Sequence, residues 1–318
     1  MIPNRWYPVL ESAALRAKPV ELTRFSRQLV AWRDAEANAH LFPAHCPHRR
    51  AHLAQGKVVD GALACPWHAF RFDGSGRCIA TPCEGPSGRI PSGLRAEPLP
   101  VREQHGLLWA WYGDAQPRYP DVAFFDDVEL AIERSAEASY ELPYHYTRMV
   151  ETNLDIHHTP IVHGSVIPGL ADELEAYEAH LDGDRIYTRG VMARRGGRPG
   201  LPFRADAILP NLGMIELTGK LRLVVAATPV DETHSWVWFR YYQDYTNAPG
   251  VRWFIAWLAV QSELRVVQKQ DWRVFSKMVG GSVDDVDYHL VRADLGIALY
   301  LKRRRELLGA TAHEAVHG

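Results

Sequence analysis

The sequence predicts an α+β protein, a small all-β module followed by a larger sheet with helices against it. Three features predict it. Residues 1 to 112 break into many short apolar runs divided by turn residues. Residues 113–120, Gly-Asp-Ala-Gln-Pro-Arg-Tyr-Pro, have the composition of a linker. Beyond them the strand-like runs lengthen, and from Ala256 the apolar spacing becomes helical. A chain of 318 residues has room for about two domains, and these features divide it into residues 1–118 and 119–318. Its 47% hydrophobic and 23% charged residues are ordinary for a globular protein with a full core.

In chain order, Gln28–Arg33 reads as a strand. Lys57–Cys65 reads as a hairpin around Asp60-Gly61, because Asp-Gly supplies the positive φ angles of a tight turn. Phe70–Phe72 leads into the turn Asp73-Gly-Ser-Gly76, and His105–Tyr112 closes the module. Past the linker, 142–163 hold a helix. Long strands are expected at Arg185–Arg194, Ala207–Arg222, Leu223–Val230 and Ser235–Tyr242, with turns at Thr218-Gly219-Lys220 and Asp231–His234. The segment from Ala256 to about Leu308 reads as helical, with a loop near Gly280-Gly281.

Charge and hydropathy remove several classes of function. The net charge is -2, and the short basic run Lys302–Arg305 suits the solvated end of a C-terminal helix, so no nucleic acid partner is expected. The first residues, MIPNRWYPVL, lack the charged-then-apolar pattern of a signal peptide. The most apolar segment, Val251–Val260, is too short for a bilayer and is soon followed by Glu263 and Arg265. A cytoplasmic protein without membrane contact is the expectation. The cysteines are Cys46, Cys65, Cys78 and Cys83. In a reducing compartment, paired Cys/His clusters favour metal over disulfide, and Cys78 and Cys83 read as free thiols.

Cys46-Pro-His48 and Cys65-Pro-Trp67-His68 form such a pair of clusters, separated by residues 49–64. Turns at Pro47 and Pro66 can turn backbone N–H groups toward sulfur. Two thiolates and two imidazoles suit a 2Fe–2S cluster with histidines on one iron, or a tetrahedral zinc ion. The flanking residues distinguish them. Cys46-Pro-His48-Arg49 followed by Cys65-Pro-Trp67-His68-Ala69-Phe70-Arg71-Phe72-Asp73-Gly-Ser-Gly76 resembles the Rieske domain of the Rieske non-haem iron oxygenases. Ala69-Phe70 stands where that family more often has Gly-Trp. The resemblance implies Cys46 and Cys65 on one iron and His48 and His68 on the other. Arg49, Arg50, Ala51, Ala69 and Phe70 occupy positions where respiratory Rieske proteins place extra cysteines, which implies the lower-potential oxygenase type.

A second constellation lies in Val150-Glu151-Thr-Asn-Leu-Asp155-Ile-His157-His158-Thr-Pro160-Ile-Val-His163. At about 100° per residue Asp155 and His158 share a helix face, whereas His158 and His163 diverge by ~140° on an unbroken helix. Pro160 disturbs the helix between them and lets both imidazoles converge on one metal. Two histidines and a carboxylate are the ligand set of non-haem Fe(II) oxygenases. For the carboxylate, Glu263-Leu-Arg-Val-Val-Gln268-Lys-Gln270 is the best match to the family's distal motif, with Asp271 second. Glu151 stands where many relatives have Asn, near the iron, and His157 points away. Trp236, Trp238, Tyr241, Trp253, Phe254 and Trp257 are candidates to line a pocket.

The resemblance covers 1–112 and 140–165 by motif and the C-terminal sheet by texture. It implies an antiparallel catalytic sheet flanked by helices, of the helix-grip type. It also implies an oxygenase that uses O2 to hydroxylate, demethylate or desaturate a small organic, possible aromatic or polycyclic ones included. Electrons would come from NAD(P)H through a separate ferredoxin or flavin reductase, because no Gly-rich dinucleotide fingerprint is present. The family assembles as a ring of three, in which Asp155 would bridge His158 to His68 of the adjacent subunit and carry the electron. Two other readings stay open: a Rieske electron carrier without oxygenase activity, indifferent to loss of His163, and a colourless zinc-stabilised binding module. Anaerobically purified protein is expected to hold about three irons and about two labile sulfides per chain. Elemental analysis checks this, and a sulfide-free zinc protein would exclude it.

Overall fold

The computed structural model describes residues 1–85, 87–114, 120–126, 132–217 and 219–317, with side chains up to Gly309. Most of the linker expected at 113–120, and the boundary at 118/119, lie outside the described residues, as does Thr218 of one expected turn. The chain forms two compact units, one of Pro3–Val122 with Thr228–Asp231, the other of Met1–Ile2, Ala123–Ala227 and Glu232–Gly318.

The first unit is all-β. Its strands are β1 (Arg5–Glu11), β2 (Val20–Arg24), β3 (Arg27–Arg33), β4 (Ala39–Pro43), β5 (Lys57–Val59), β6 (Ala62–Ala64), β7 (Arg71–Phe72), β8 (Cys78–Ala80), β9 (Val101–Gln104) and β10 (Leu107–Tyr112). They form three small antiparallel sheets, ordered β1-β10-β9, β2-β3-β4 and β5-β6-β7-β8. Asp60 and Gly61 both take positive φ between β5 and β6, as the hairpin reading requires. Val30, Trp32, Phe42, Leu53, Leu63 and Phe72 make a core that also contains the buried Cys46 and Cys65.

The second unit holds a seven-stranded antiparallel sheet and helices, so the α+β class and the antiparallel catalytic sheet are both present. Its strands are β11 (Ser135–Leu142), β12 (Leu170–Asp182), β13 (Arg185–Arg194), β14 (Leu201–Ile208), β15 (Leu212–Leu217), β16 (Leu221–Pro229) and β17 (Ser235–Gln243), in the order β11-β17-β16-β15-β14-β13-β12. The helices are α1 (Tyr146–Leu154), α2 (Thr159–Val162), α3 (Val251–Ser262), α4 (Gln268–Phe275) and α5 (Leu295–His317). The single strand expected over Ala207–Arg222 is two, β14 and β15, turned through Leu209-Pro210-Asn211, where a proline cannot donate to a ladder. The helix expected at 142–163 begins at Tyr146 and breaks at Asp155. The loop expected near Gly280-Gly281 is present and longer than expected, running from Ser276 to Asp294 with only short 3-10 turns. Among the described residues no helix is long and apolar enough to cross a membrane.

Gly76 lies at φ +80°, and a Cβ there would meet the Ala96 carbonyl oxygen at 1.9 Å. Gly93 has no neighbour within 4 Å of a built Cβ and no positive φ. Gly76→Ala is therefore expected to lower stability by about 1 kcal/mol or more, and Gly93→Ala to stay within about 0.5 kcal/mol. Urea denaturation of the two variants measures the difference.

Candidate functional site

The two Cys/His clusters sit on loops of matching construction in the first unit. Each loop closes through the backbone of its cysteine: Cys46 N–H donates to the Ala51 carbonyl at 2.8 Å, and Cys65 N–H to Phe70 at 2.9 Å. Arg50 and Ala69 each donate back to the cysteine carbonyl four residues earlier, at 2.9 and 3.0 Å. Both take a left-handed backbone, φ 62° and 57°. That conformation is costly for an L-residue and free for glycine, which gives a physical reason for the glycine commoner at position 69 in the family.

These loops put the sulfurs inside and the imidazoles outside. Cys46 and Cys65 are buried and form no disulfide, while His48 is exposed and His68 half-buried. The two rings lie 4.8 Å apart between centroids, and His48 stacks on Phe70 at 4.6 Å. Burial pushes the Cys46 thiol up to about 11, and the adjoining Cys65 thiol adds to this, while backbone N–H groups of His48 and Arg49 aimed at the sulfur act in the opposite sense. Two buried thiols side by side under N–H donors form a poor apolar core and a good thiolate pair for a metal. Desolvation, then the His48 and Arg49 charges, lower the pKa of His68 and favour the neutral ring that a metal binds.

In the second unit, Asp155, His158, His163 and Asp271 line one cavity of about 310 Å³. Helix α1 ends at Asp155, a 3-10 turn carries Ile156–His158, and α2 restarts with Pro160 in its first turn. The break bends the chain so that the His158 and His163 rings come within 5.2 Å of each other. The helix is thus interrupted before Pro160, at Asp155, and proline suits the start of the new helix.

His158, His163 and Asp271 each offer a ligand atom within 4.8 Å of the others. Asp271 Oδ1 lies 3.0 Å from His163 Nε2 and 3.8 Å from His158 Nε2. His163 Nδ1 donates to Gln270 Oε1 at 2.9 Å, and Gln270 Nε2 donates to Ser165 at 2.8 Å, which settles the amide's orientation. His158 Nδ1 donates to the Asp155 backbone carbonyl. Both rings therefore spend Nδ1 on hydrogen bonds and turn Nε2 toward the carboxylate. Burial lowers the pKa of His163, but Asp271 and then Gln270 reverse this and leave it raised. Asp271 Oδ1 is buried without a hydrogen-bond partner among the described residues. Two imidazole nitrogens facing an under-satisfied carboxylate oxygen would suit a divalent metal.

Glu263, the first choice for the carboxylate, stands outside this group. Its carboxylate accepts from the Tyr241 hydroxyl at 2.8 Å, and burial lifts its pKa to about 7, against that hydrogen bond and with help from Asp271. A π turn over Glu263–Val267 joins α3 to α4. On an unbroken helix Glu263 and Asp271 would differ by ~80°, and the extra residue of the π turn reduces this to ~20°. Both acids consequently face the same cavity, and only Asp271 reaches the histidines.

The other named residues are spread more widely. Asp155 Oδ2 lies 3.5 Å from His158 Nδ1, and its Oδ1 is 3.1 Å from His157 Nδ1. Burial works against its ionisation, but His158 and then His157 hold its pKa below the usual range. His157 turns between Asp155 and Asp294 and does not line the cavity. Glu151 is buried in an ion pair with Arg148 at 2.7 Å and is also outside the cavity lining. Of the six aromatic candidates only Tyr241 lines the cavity. Trp238 and Arg240 lie on the opposite face of β17, where both donate to Glu137. Trp253 and Phe254 are half-exposed on α3. Tyr140 and Gln270 had no assigned role in the sequence reading. Tyr140 alternates onto the cavity face of an edge strand whose composition gives no strand signal.

Residues 5–100 match the model of the Rieske [2Fe-2S] domain. Aminopyrrolnitrin oxygenase PrnD of Pseudomonas fluorescens is 32% identical over 215 residues, covering 66% of this chain and 58% of that protein. The oxygenase component of dicamba O-demethylase from Stenotrophomonas maltophilia is 29% identical over 204 residues, 63% of this chain and 58% of that one.

The chain carries a Rieske [2Fe-2S] domain, and the relatives it resembles beyond that domain include oxygenases.

The fold agrees across the chain. The crystal structure of dicamba monooxygenase bound to dicamba superposes with TM-score 0.76 at 20% identity, over 98% of this chain and 99% of that one. NdmA of Pseudomonas putida CBB5 gives 0.77 at 20%, over 98% and 92%. The chain spans at most 58% of the length of the curated relatives it matches first. The cofactors of a Rieske oxygenase are a 2Fe–2S cluster and a mononuclear non-haem iron, with O2 as co-substrate, and the donor sets of both units fit them. On this geometry His163→Ala and Asp271→Ala are expected to lower iron from about three to about two per chain with sulfide unchanged. Glu263→Gln is expected to keep all three. Iron and sulfide assays on the purified variants decide it.

Proposed function

We propose that this chain is the oxygenase component of a system that hydroxylates or demethylates a small organic molecule with O2. The observation that carries the reading is the His158–His163–Asp271 group on the wall of a 310 Å³ cavity, in a chain that also bears the Cys46–His48–Cys65–His68 set. The three-residue group also favours this reading over that of an electron carrier, which has no use for it. The relatives support the reaction class: an aminopyrrolnitrin oxygenase, a dicamba O-demethylase and a 4beta-methylsterol monooxygenase.

In this proposal Cys46 and Cys65 hold one iron of the cluster and His48 and His68 the other, while His158, His163 and Asp271 hold the mononuclear iron. The bound cofactors supply one-electron storage and oxygen activation. The chain's own residues supply the rest. Gln270 and the Asp155 carbonyl fix which nitrogen each imidazole presents. Leu217, Leu223, Val225 and Phe239 form an apolar wall that excludes water and fits a hydrocarbon body. Tyr241 and Glu263 give that body one polar end to be oriented by.

The domain boundary near 118, a separate ferredoxin or flavin reductase using NAD(P)H, a homotrimer and a cytoplasmic location belong to the same proposal. The two compact units support the first. The dicamba O-demethylase relative is the oxygenase component of its system, which supports the second. Four free cysteines suit a reducing compartment. Within the trimer, Asp155 bridges His158 to His68 of the neighbouring subunit. Asp155→Asn keeps the carbonyl that orients His158 but removes the carboxylate charge. It is expected to leave both metal sites filled while cutting product formation by about 10- to 100-fold or more. Parallel iron analysis and turnover with reductase and NAD(P)H test this, and unaltered turnover at full iron content would refute the bridging role.

A further inference from the structure

The polar groups of the cavity are unevenly distributed by sign. Among the described residues lining it, none is a lysine or arginine, whereas Asp155, Glu263 and Asp271 are carboxylic acids. Asp271 faces the two histidines and Asp155 is held by His158 and His157. Glu263 has the Tyr241 hydroxyl alone, on one oxygen. The residue is 8% exposed, and its other oxygen, with no hydrogen-bond donor among the described residues, is not fully buried and stays open to the cavity it lines. Tyr140 lies on the same cavity face, with its ring 5.8 Å from Phe239, and its hydroxyl has no partner among the described residues. A buried carboxylate with one donor is under-satisfied, and an apolar wall offers it none.

We propose that Glu263, held by Tyr241 and flanked by Tyr140, determines substrate specificity, and that the substrate class is an amine on an apolar body rather than a carboxylic acid. An ammonium or N–H group placed at Glu263 supplies the missing donor, and the Tyr140 hydroxyl on the same cavity face offers a further acceptor. A carboxylate in the same place meets a like charge with no cation to offset it. Asp155 and Asp271 already offset a dication held at His158, His163 and Asp271, so Glu263, to the extent that it is ionised, makes the balance negative. The apolar residues of β15 and β16 then take the hydrocarbon part. The inference rests on the oxygenase reading only in taking this cavity as the substrate's.

Three probes with one two-ring body separate the possibilities: tryptamine, tryptophol and indoleacetate, titrated calorimetrically into the iron-loaded protein at neutral pH. Tryptamine is expected to bind at least about tenfold more tightly than tryptophol, and indoleacetate about a hundredfold more weakly than tryptamine. Glu263→Gln is expected to remove about tenfold of the tryptamine affinity while tryptophol moves less than about threefold. Indoleacetate or tryptophol binding within about threefold of tryptamine, or no binding of any probe at about 1 mM, would overturn the proposal. So would an amine preference that survives Glu263→Gln. The wild-type series decides the matter alone where that variant does not fold. Iron content is measured on the same samples. Full iron without amine preference sinks this inference and leaves the oxygenase reading standing, and amine preference in a protein that binds no mononuclear iron does the reverse.

Discussion

The candidate iron site depends on two hydrogen bonds that point away from it. His158 gives its Nδ1 proton to the Asp155 backbone carbonyl, and His163 gives its own to Gln270. An imidazole committed at Nδ1 has a lone pair only at Nε2, so both rings must present that nitrogen to whatever lies on the other side. What lies there is Asp271, with a buried oxygen that nothing else satisfies. Without those two bonds, each ring has two tautomers and freer rotation, and three ligands could not be held in one arrangement. The breaks in the helices follow from the same need. The 3-10 turn after α1 frees the Asp155 carbonyl for a side chain, and the restart at α2 carries His163 to the position where Gln270 meets it.

Helix α4 is subject to a matching constraint from the other side. Asp271 must face the histidines while Gln270, its neighbour, reaches the far edge of His163. Adjacent helical residues diverge by about 100°, which suits one acid approaching Nε2 and one amide approaching Nδ1 of the same ring. The π turn at Glu263–Val267 adds one residue upstream and brings Glu263 onto nearly the same line as Asp271. The cavity thereby acquires a second carboxylate with no part in the three-residue group. That acid is costly to bury, as its pKa near 7 indicates.

How much could be read from the chain follows from where the information is local. The Cys46 and Cys65 loops are short, and their prolines, histidines and flanking aromatics stand within a few residues of each other, so their chemistry was legible at once. The pairing of His158 with His163 was legible too, through Pro160, although the break falls at Asp155. The choice between Glu263 and Asp271 was not. It turns on a one-residue change of helical register and on an ion pair reaching across more than a hundred positions of sequence, and neither leaves a mark in composition. The edge strands β11 and β12 were missed for a different reason. Their sequences, SAEASYEL and LADELEAYEAHLD, carry acids where an inner strand carries valine or leucine, because an edge strand is kept soluble by charge. Tyr140 went unnoticed with β11.

The aromatic residues of β17 show why pattern alone does not locate a pocket. Strand alternation places Trp238 and Arg240 on one face of β17 and Phe239 and Tyr241 on the other, but it does not say which face is hollow. The larger rings, Trp236 and Trp238, lie on the face away from the cavity, where Glu137 satisfies the Trp238 N–H and the Arg240 guanidinium. The cavity face carries the smaller Phe239 and the hydroxyl of Tyr241. A cavity that must admit a ligand requires the bulkiest side chains to be elsewhere, so large aromatics on an inner strand argue for the face that is filled. Tyr241 is the exception because its ring packs as phenylalanine would while its hydroxyl reaches Glu263. One polar contact at the end of an apolar wall sets the orientation of anything that enters, and it does so at a fixed distance from His163 because both acids ride on the same helical run.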